Sequence, residues 1–165
     1  MNLIVAVDQN WGIGKNGQLL TKISGDMKFF KETTMGKVVV MGRRTFESIP
    51  SKKALPGRTN IILTKNKKYN APGCQIVTSK EELCDVVLSY NKEDVFLIGG
   101  ENIYKDCLEY CDTLYITKIY DTFEADRHMV NIDSSDGFNI TWESEIMEEN
   151  GVKYQFFKYE RKLHV

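Results

Sequence analysis

The sequence predicts an α/β fold built on a mainly parallel sheet that ends in an antiparallel hairpin. Two observations carry this. Short apolar runs rich in β-branched residues alternate with segments of helical periodicity, the pattern of strands covered by helices. Near the C-terminus, Asn150-Gly151 precedes residues 152–159, where Tyr154 and Phe156 alternate with Lys153 and Gln155, the mark of a hairpin with a type I′ turn.

The elements follow in order. Residues 3–7 read as the first strand, 27–33 as a helix and 37–41, with three consecutive valines, as a strand. A short helix starts over 44–48, and strands follow at 60–63 and 75–78. Ser79 with Glu82 three residues on is a capping box opening a helix through Leu83, Val86 and Val87. Residues 95–98 are continuously apolar, as expected of a strand covered on both faces. A helix over 101–108 and a strand over 113–119 come next, and Ile140, Trp142 and Ile146 lie on one alternation.

At 165 residues the chain fits one domain, residues 1–165, with 42% hydrophobic and 27% charged residues, an ordinary globular balance. The net charge of −1 and the scatter of the 22 basic residues give no field toward nucleic acid or an anionic membrane. The densest basic cluster, Lys65, Lys67 and Lys68, is too short for a phosphate-backbone tract. The apolar start at residues 1–7 lacks a basic region and breaks at Asp8, so it reads as a strand, not a signal peptide. No apolar run approaches the roughly 20 residues of a membrane helix. Cys74, Cys84, Cys107 and Cys111 form no Cys-x-x-Cys pair and have no histidine near them, so free thiols in a reducing cytosol are expected, and no metal.

Four segments could carry chemistry. On a helical wheel Asp26 lies at zero, with Phe29 at about −60°, Phe30 at about +40° and Met27 at about +100°. A carboxylate inside an apolar arc is costly to bury and has its pKa raised, which suits hydrogen bonding to, or protonating, a bound heterocycle. The alternative is that Asp26 caps the helix after Ser24-Gly25. In residues 38–45 a buried strand breaks at Gly42 before Arg43, Arg44 and Thr45, a helix start that favours an anion such as a phosphorylated cofactor; exposed, solvated arginines are the alternative. In residues 95–104 a strand ends at Gly99-Gly100, where a pyrophosphate or ring can approach the backbone. This is not a Gly-x-Gly-x-x-Gly fingerprint, and a bare turn would look the same. Leu55-Pro56-Gly57-Arg58 reads as a type II turn holding an arginine suited to a carboxylate, or simply exposed.

In this order and spacing the segments closely resemble the dihydrofolate reductase family, from Leu3 to about Tyr159. The motifs are 5–7, Gly12-Ile13-Gly14-Lys15-Asn16-Gly17, Gly25-Asp26-Met27-Lys28-Phe29-Phe30-Lys31, 41–49, 55–58, Ile98-Gly99-Gly100 and Leu114-Tyr115-Ile116-Thr117. The resemblance implies a mixed, mostly parallel eight-stranded sheet flanked by about four helices. It implies NADPH-dependent reduction of 7,8-dihydrofolate to tetrahydrofolate in one-carbon metabolism and thymidylate synthesis. Hydride would pass from nicotinamide C4 to pterin C6, with protonation at N5. A cytoplasmic monomer is expected.

Residue by residue, the resemblance makes Asp26 the group that binds the pterin and promotes its protonation, with the Thr117 hydroxyl on that carboxylate. Val5, Ala6, Met27, Phe30, Ile49, Leu55, Ile98 and Tyr104 would contact the substrate, and Arg58 would take its glutamate α-carboxylate. The cofactor would lie on Ala6, Ile13, Gly14, Gly42, Arg43, Arg44, Thr45, Leu63, Thr64, Lys65, Ile98, Gly99, Gly100, Glu101, Asn102, Ile103 and Tyr104. A cis peptide is expected at Gly99–Gly100, and residues 14–22 match a mobile loop over the site.

The sequence departs from the family in that loop. Leu20 and Thr21 stand where the family has Pro-Trp, and Ser24 replaces a second proline. Asp126 and His128 match the Asp-x-His of the loop that meets it, followed by Met129-Val130 in place of Phe-Pro. A looser, more polar loop is expected, with weaker binding of antifolates that depend on this wall. Two rivals share parts of the pattern. A riboflavin-pathway pyrimidine reductase has the fold and cofactor but neither the helix aspartate nor the Leu-Pro-Gly-Arg turn. A non-catalytic nucleotide-binding relative would have no need of Asp26, Thr117 and Arg58.

Overall fold

The computed structural model describes residues 1–163. Its strands are β1 (Asn2–Val7), β2 (Gly12–Gly14), β3 (Val38–Gly42), β4 (Thr59–Leu63), β5 (Cys74–Val77), β6 (Val95–Gly99), β7 (Thr113–Ile119), β8 (Arg127–His128), β9 (Phe138–Glu143), β10 (Met147–Glu149) and β11 (Val152–Arg161). Its α-helices are α1 (Ser24–Thr34), α2 (Arg43–Ser48), α3 (Lys80–Val87) and α4 (Glu101–Cys107).

The main sheet runs β10-β11-β7-β1-β6-β3-β4-β5. From β7 to β5 every pairing is parallel, and β11 then joins β7 antiparallel. β9 and β10 share one edge of β11, against residues 157–161 and 152–154, so the sheet is eight positions wide. Val39, Val40, Met41, Ile61, Ile62, Leu97 and Leu114 are wholly buried, and β3 and β6 accordingly read as unbroken apolar runs. The Ser79 hydroxyl accepts from Glu82 N–H at 3.0 Å and caps α3. Asn150 and Gly151 both have positive φ, 52° and 79°, as a type I′ turn needs.

Two expectations need correction, and one element is new. α1 starts at Ser24, three residues before the expected Met27, because its end is capped from a distance, as described below. Ile146 does not continue the alternation of Ile140 and Trp142. β9 stops at Glu143, and the Ser144 hydroxyl accepts from Phe156 N–H at 2.9 Å, a local break in the ladder; all three side chains are exposed. The small β2–β8 sheet, pairing Gly12 with His128, had no signal in the sequence because strands of two or three residues show no periodicity.

The register positions the cleft. Ala6 lies opposite Thr117, Met41 opposite Gly99, and Gly42 opposite Leu63. The Asp26, Gly42 and Gly99-Gly100 segments therefore converge on the carboxyl ends of neighbouring parallel strands, where open α/β sheets bind ligands, whereas the Leu55–Arg58 turn leads into the amino end of β4.

Candidate active site

α1 packs across the end of β7 and brings Asp26 to it. The Thr117 hydroxyl donates to Asp26 Oδ1 at 2.7 Å. The N-cap position belongs to Ile23, so Asp26 does not cap the helix; it sits in the first turn with its carboxyl turned to the sheet. Burial raises the Asp26 pKa above the usual carboxylate value, and the Thr117 hydrogen bond offsets part of the rise. The group is thus held where a proton can be kept nearer neutrality than on an exposed aspartate.

The apolar arc divides. Phe29 stacks on Phe156 with ring centroids 4.3 Å apart and belongs to the helix–sheet contact. Phe30 is half-buried, and Met27 is 51% exposed. Ile49, Leu55 and Ile98 pack at the edge of the cluster of Val39, Met41, Phe46 and Ile62. Val5 is buried and Ala6 half-buried beside Thr117.

Arg58 leaves a turn whose Gly57 has φ 74°. Its Nε donates to Pro56 O at 3.0 Å and its Nη1 to the Thr34 hydroxyl at 3.2 Å. Burial lowers its pKa, so an anion there would replace water the guanidinium has partly lost. The sequence reading missed Asn60, which closes the turn. Its amide accepts from Leu55 N–H at 2.9 Å and donates to Leu55 O and Arg58 O, both at 3.0 Å. An asparagine inside an apolar strand was the available signal.

The two glycine turns face one another across Thr45. A Cβ on Gly99 or Gly100 would lie 3.5 or 3.3 Å from the Thr45 hydroxyl, and one on Gly42 would lie 3.2 Å from Ile103. The Gly99–Gly100 peptide is cis. Tyr104 donates its hydroxyl to Ile4 O at 2.7 Å, which ties α4 to β1 and leaves only its ring for a ligand. Arg43 donates to Glu47 at 2.9 Å and lies over the Tyr69 ring at 4.7 Å. Arg44 is exposed and lines, with Asn16, Gln18, Ile49 and Lys52, a cavity of about 460 Å³ between α2 and the loop after β2.

Leu63 is half-buried beside Gly42, Thr64 N–H donates to Val77 O, and Lys65 is exposed. Glu101 is half-exposed at the start of α4, Asn102 is exposed and Ile103 is buried. Ile13 and Gly14 enter from β2, held to β8. The described side chains thus supply side-chain-free backbone at two strand ends with cations beside it, a fit to a phosphorylated dinucleotide.

A family model described as Dihydrofolate reductase matches residues 1–161. The chain belongs to the dihydrofolate reductase family. A dihydrofolate reductase of Bacillus subtilis (strain 168) is 37% identical over 163 residues, which cover 98% of this chain and 95% of that protein. One of Staphylococcus haemolyticus is 39% identical over 165 residues, with the same coverage of 98% and 95%. The solved dihydrofolate reductase of Enterococcus faecalis, complexed with NADP(H) and RAB-propyl, superposes with a TM-score of 0.87 at 34% identity, covering 97% of this chain and 95% of its own. The chain is accordingly an NADPH-dependent oxidoreductase of the dihydrofolate reductase type.

The loop where the sequence leaves the family pattern is tied to residues 124–126, with Lys15 Nζ donating to Glu124 at 3.0 Å. Asp126 accepts from Asn16 N–H at 3.0 Å and donates its own N–H to Gly14 O at 3.0 Å. Ser24, expected to loosen the loop, is held by Glu149 instead. Leu20 and Thr21 are half-buried, and Leu19 is 61% exposed.

Proposed function

We propose that this chain reduces 7,8-dihydrofolate to tetrahydrofolate with Asp26 as the proton-handling group and Thr117 as its partner. The observation that carries the reading is a part-buried carboxyl, paired to a buried threonine, in a fold whose glycine-ended strands present backbone bare of side chains, as a dinucleotide needs. NADPH, when bound, supplies the hydride at its nicotinamide C4, and pterin C6 receives it.

The chain's own residues do the rest. Asp26 hydrogen-bonds the pterin amino group and ring NH and raises the protonated fraction at N5, which its lifted pKa favours. Met27, Phe30, Ile49 and Leu55 wall the substrate rings, with Val5, Ala6, Ile98 and the Tyr104 ring beneath. Arg58 takes the glutamate α-carboxylate in a charge-assisted contact. Gly42, Thr45, Gly99 and Gly100 admit the cofactor's phosphates and nicotinamide. Arg43, Arg44 and Lys65 supply positive charge, and Leu63, Thr64 and residues 101–104 complete the wall. The loop over residues 14–22 excludes water and gates release.

The whole of residues 1–165 acts as one domain, as a monomer in the cytoplasm. The balanced surface charge of −1 supports a small-molecule substrate over nucleic acid. No described helix is long and apolar enough to cross a membrane. Loss of NADPH absorbance on adding dihydrofolate is the test. Brisk turnover is expected. NADPH binding without turnover would instead favour a riboflavin-pathway pyrimidine substrate or a non-catalytic role.

A further inference from the structure

The β10–β11 hairpin reaches the start of α1. There the Glu149 carboxylate accepts from Ser24 N–H at 2.7 Å, from the Ser24 hydroxyl at 2.6 Å and from Gly25 N–H at 3.2 Å. The first N–H groups of a helix have no partner within it, and Ile23 in the cap position offers no side-chain oxygen. Glu149, 125 residues away, therefore does what a local cap does elsewhere. A second contact fixes the same junction. A Cβ on Gly25 would come within 2.2 Å of the Tyr154 hydroxyl, so α1 sits as near β11 as a glycine allows. Ile23 and Tyr154 also share a small apolar cluster with Ile119. Asp26 is the next residue, and its distance from Thr117 depends on where this helix end lies.

We infer that Glu149 is a positioning residue for Asp26: clamped on Ser24 and Gly25, it holds the first turn of α1 against β7 in place of the proline the family carries at position 24. The inference rests on Asp26 being the group that serves the pterin. The backbone itself supports the exchange. Ile23 has φ −115° and ψ 114°, the extended conformation that precedes a proline, and Ser24 is the first helical residue, where proline is favoured. The ionisable groups at the junction are Glu149, Tyr154 and Asp26. Burial, then the charges of Glu149 and Asp26, pushes the Tyr154 phenol up, so only the two carboxyls can carry charge there near neutrality.

The experiment compares wild type, Glu149→Ala and Ser24→Pro/Glu149→Ala by single-turnover hydride transfer from NADPH to dihydrofolate across pH. Carbon-13 NMR of the Asp26 carboxyl in the apo protein titrates the same group without requiring activity. Glu149→Ala should slow hydride transfer by about 3–10-fold through misplacement of Asp26. Loss of the nearby negative charge and exposure of the positive helix end should also lower the Asp26 midpoint by about 0.2–0.7 of a pH unit. Ser24→Pro/Glu149→Ala should bring the rate back to within about twofold of wild type, because proline presets the helix start. Three results would overturn the inference: an unchanged rate and midpoint in Glu149→Ala, a loss of thermal stability alone, or a rate that proline does not restore. If wild type itself fails to turn over, the functional reading falls, and the NMR midpoints still decide whether Glu149 controls Asp26.

Discussion

The two ends of the cleft hold their charges in opposite ways. At the substrate end Asp26 and Arg58 are partly withdrawn from water, and each has a fixed neighbour, Thr117 for one and Thr34 with Pro56 O for the other. Their pKa values move as desolvation dictates, up for the acid and down for the base. At the cofactor end Arg43, Arg44 and Lys65 stay exposed. The difference follows the task. A group that must handle a proton, as Asp26 does, needs its pKa tuned, and burial does that here. A group that attracts phosphates needs only charge, and stays hydrated until the ligand arrives.

The largest effect should come from Asp26→Asn. Hydride transfer at neutral pH should fall by about 10²–10⁴-fold, the usual scale of acid–base catalysis, measured by stopped-flow fluorescence. The same change should raise the apo melting temperature by a few degrees at neutral pH. With its folded pKa raised, Asp26 favours folding while protonated and withdraws that support as pH climbs through the folded value. The stability gain of the variant should therefore shrink in acid and vanish below the ordinary carboxylate value of 3.8.

Arg58→Leu comes next. KM for dihydrofolate should rise by about 10–100-fold, the equivalent of losing a charge-assisted pair, with kcat little altered. A reduced pteridine without a glutamate tail should be indifferent to the change, and an equal loss with that substrate would remove Arg58 from the tail site. Arg44→Ala sharpens the other half of the comparison. NADPH should bind about 5–10-fold more weakly at low salt, and the gap should narrow at high salt because exposed charges are screened. A salt-independent loss would mean that this end is desolvated too.

The smallest effect concerns the core away from the cleft. Burial pushes the Cys107 thiol up to about 11 and the Cys111 thiol up to about 12. Both should resist iodoacetamide in the native protein at mildly alkaline pH and react on unfolding, as mass spectrometry would read.

Much of this was legible in the sequence, for local reasons. Strand β7 falls on residues 113–119 as read, and the glycine turns stand at strand ends because a run of buried apolar residues and its stop are visible in a few consecutive letters. The wheel placed Asp26 correctly in an apolar arc but could not say what the arc meets. Phe29 turns to Phe156 while Asp26 turns to Thr117, and both partners lie on strands far along the chain. Asn60 and Glu149 escaped for different reasons, one local and one remote. Asn60 satisfies its amide on a turn that exists only once folded, and Glu149 meets Ser24 across the whole fold. The replaced proline at Ser24 read as a loss, because the compensating residue is remote.

The most direct test of the account is the pH dependence of single-turnover hydride transfer in wild type and Asp26→Asn. A part-buried, threonine-paired Asp26 predicts a wild-type rate that falls as pH rises through a midpoint above the ordinary carboxylate value, and a variant whose residual rate lacks that fall. The same fall in both proteins, or a wild-type midpoint at the value of an exposed aspartate, would contradict it.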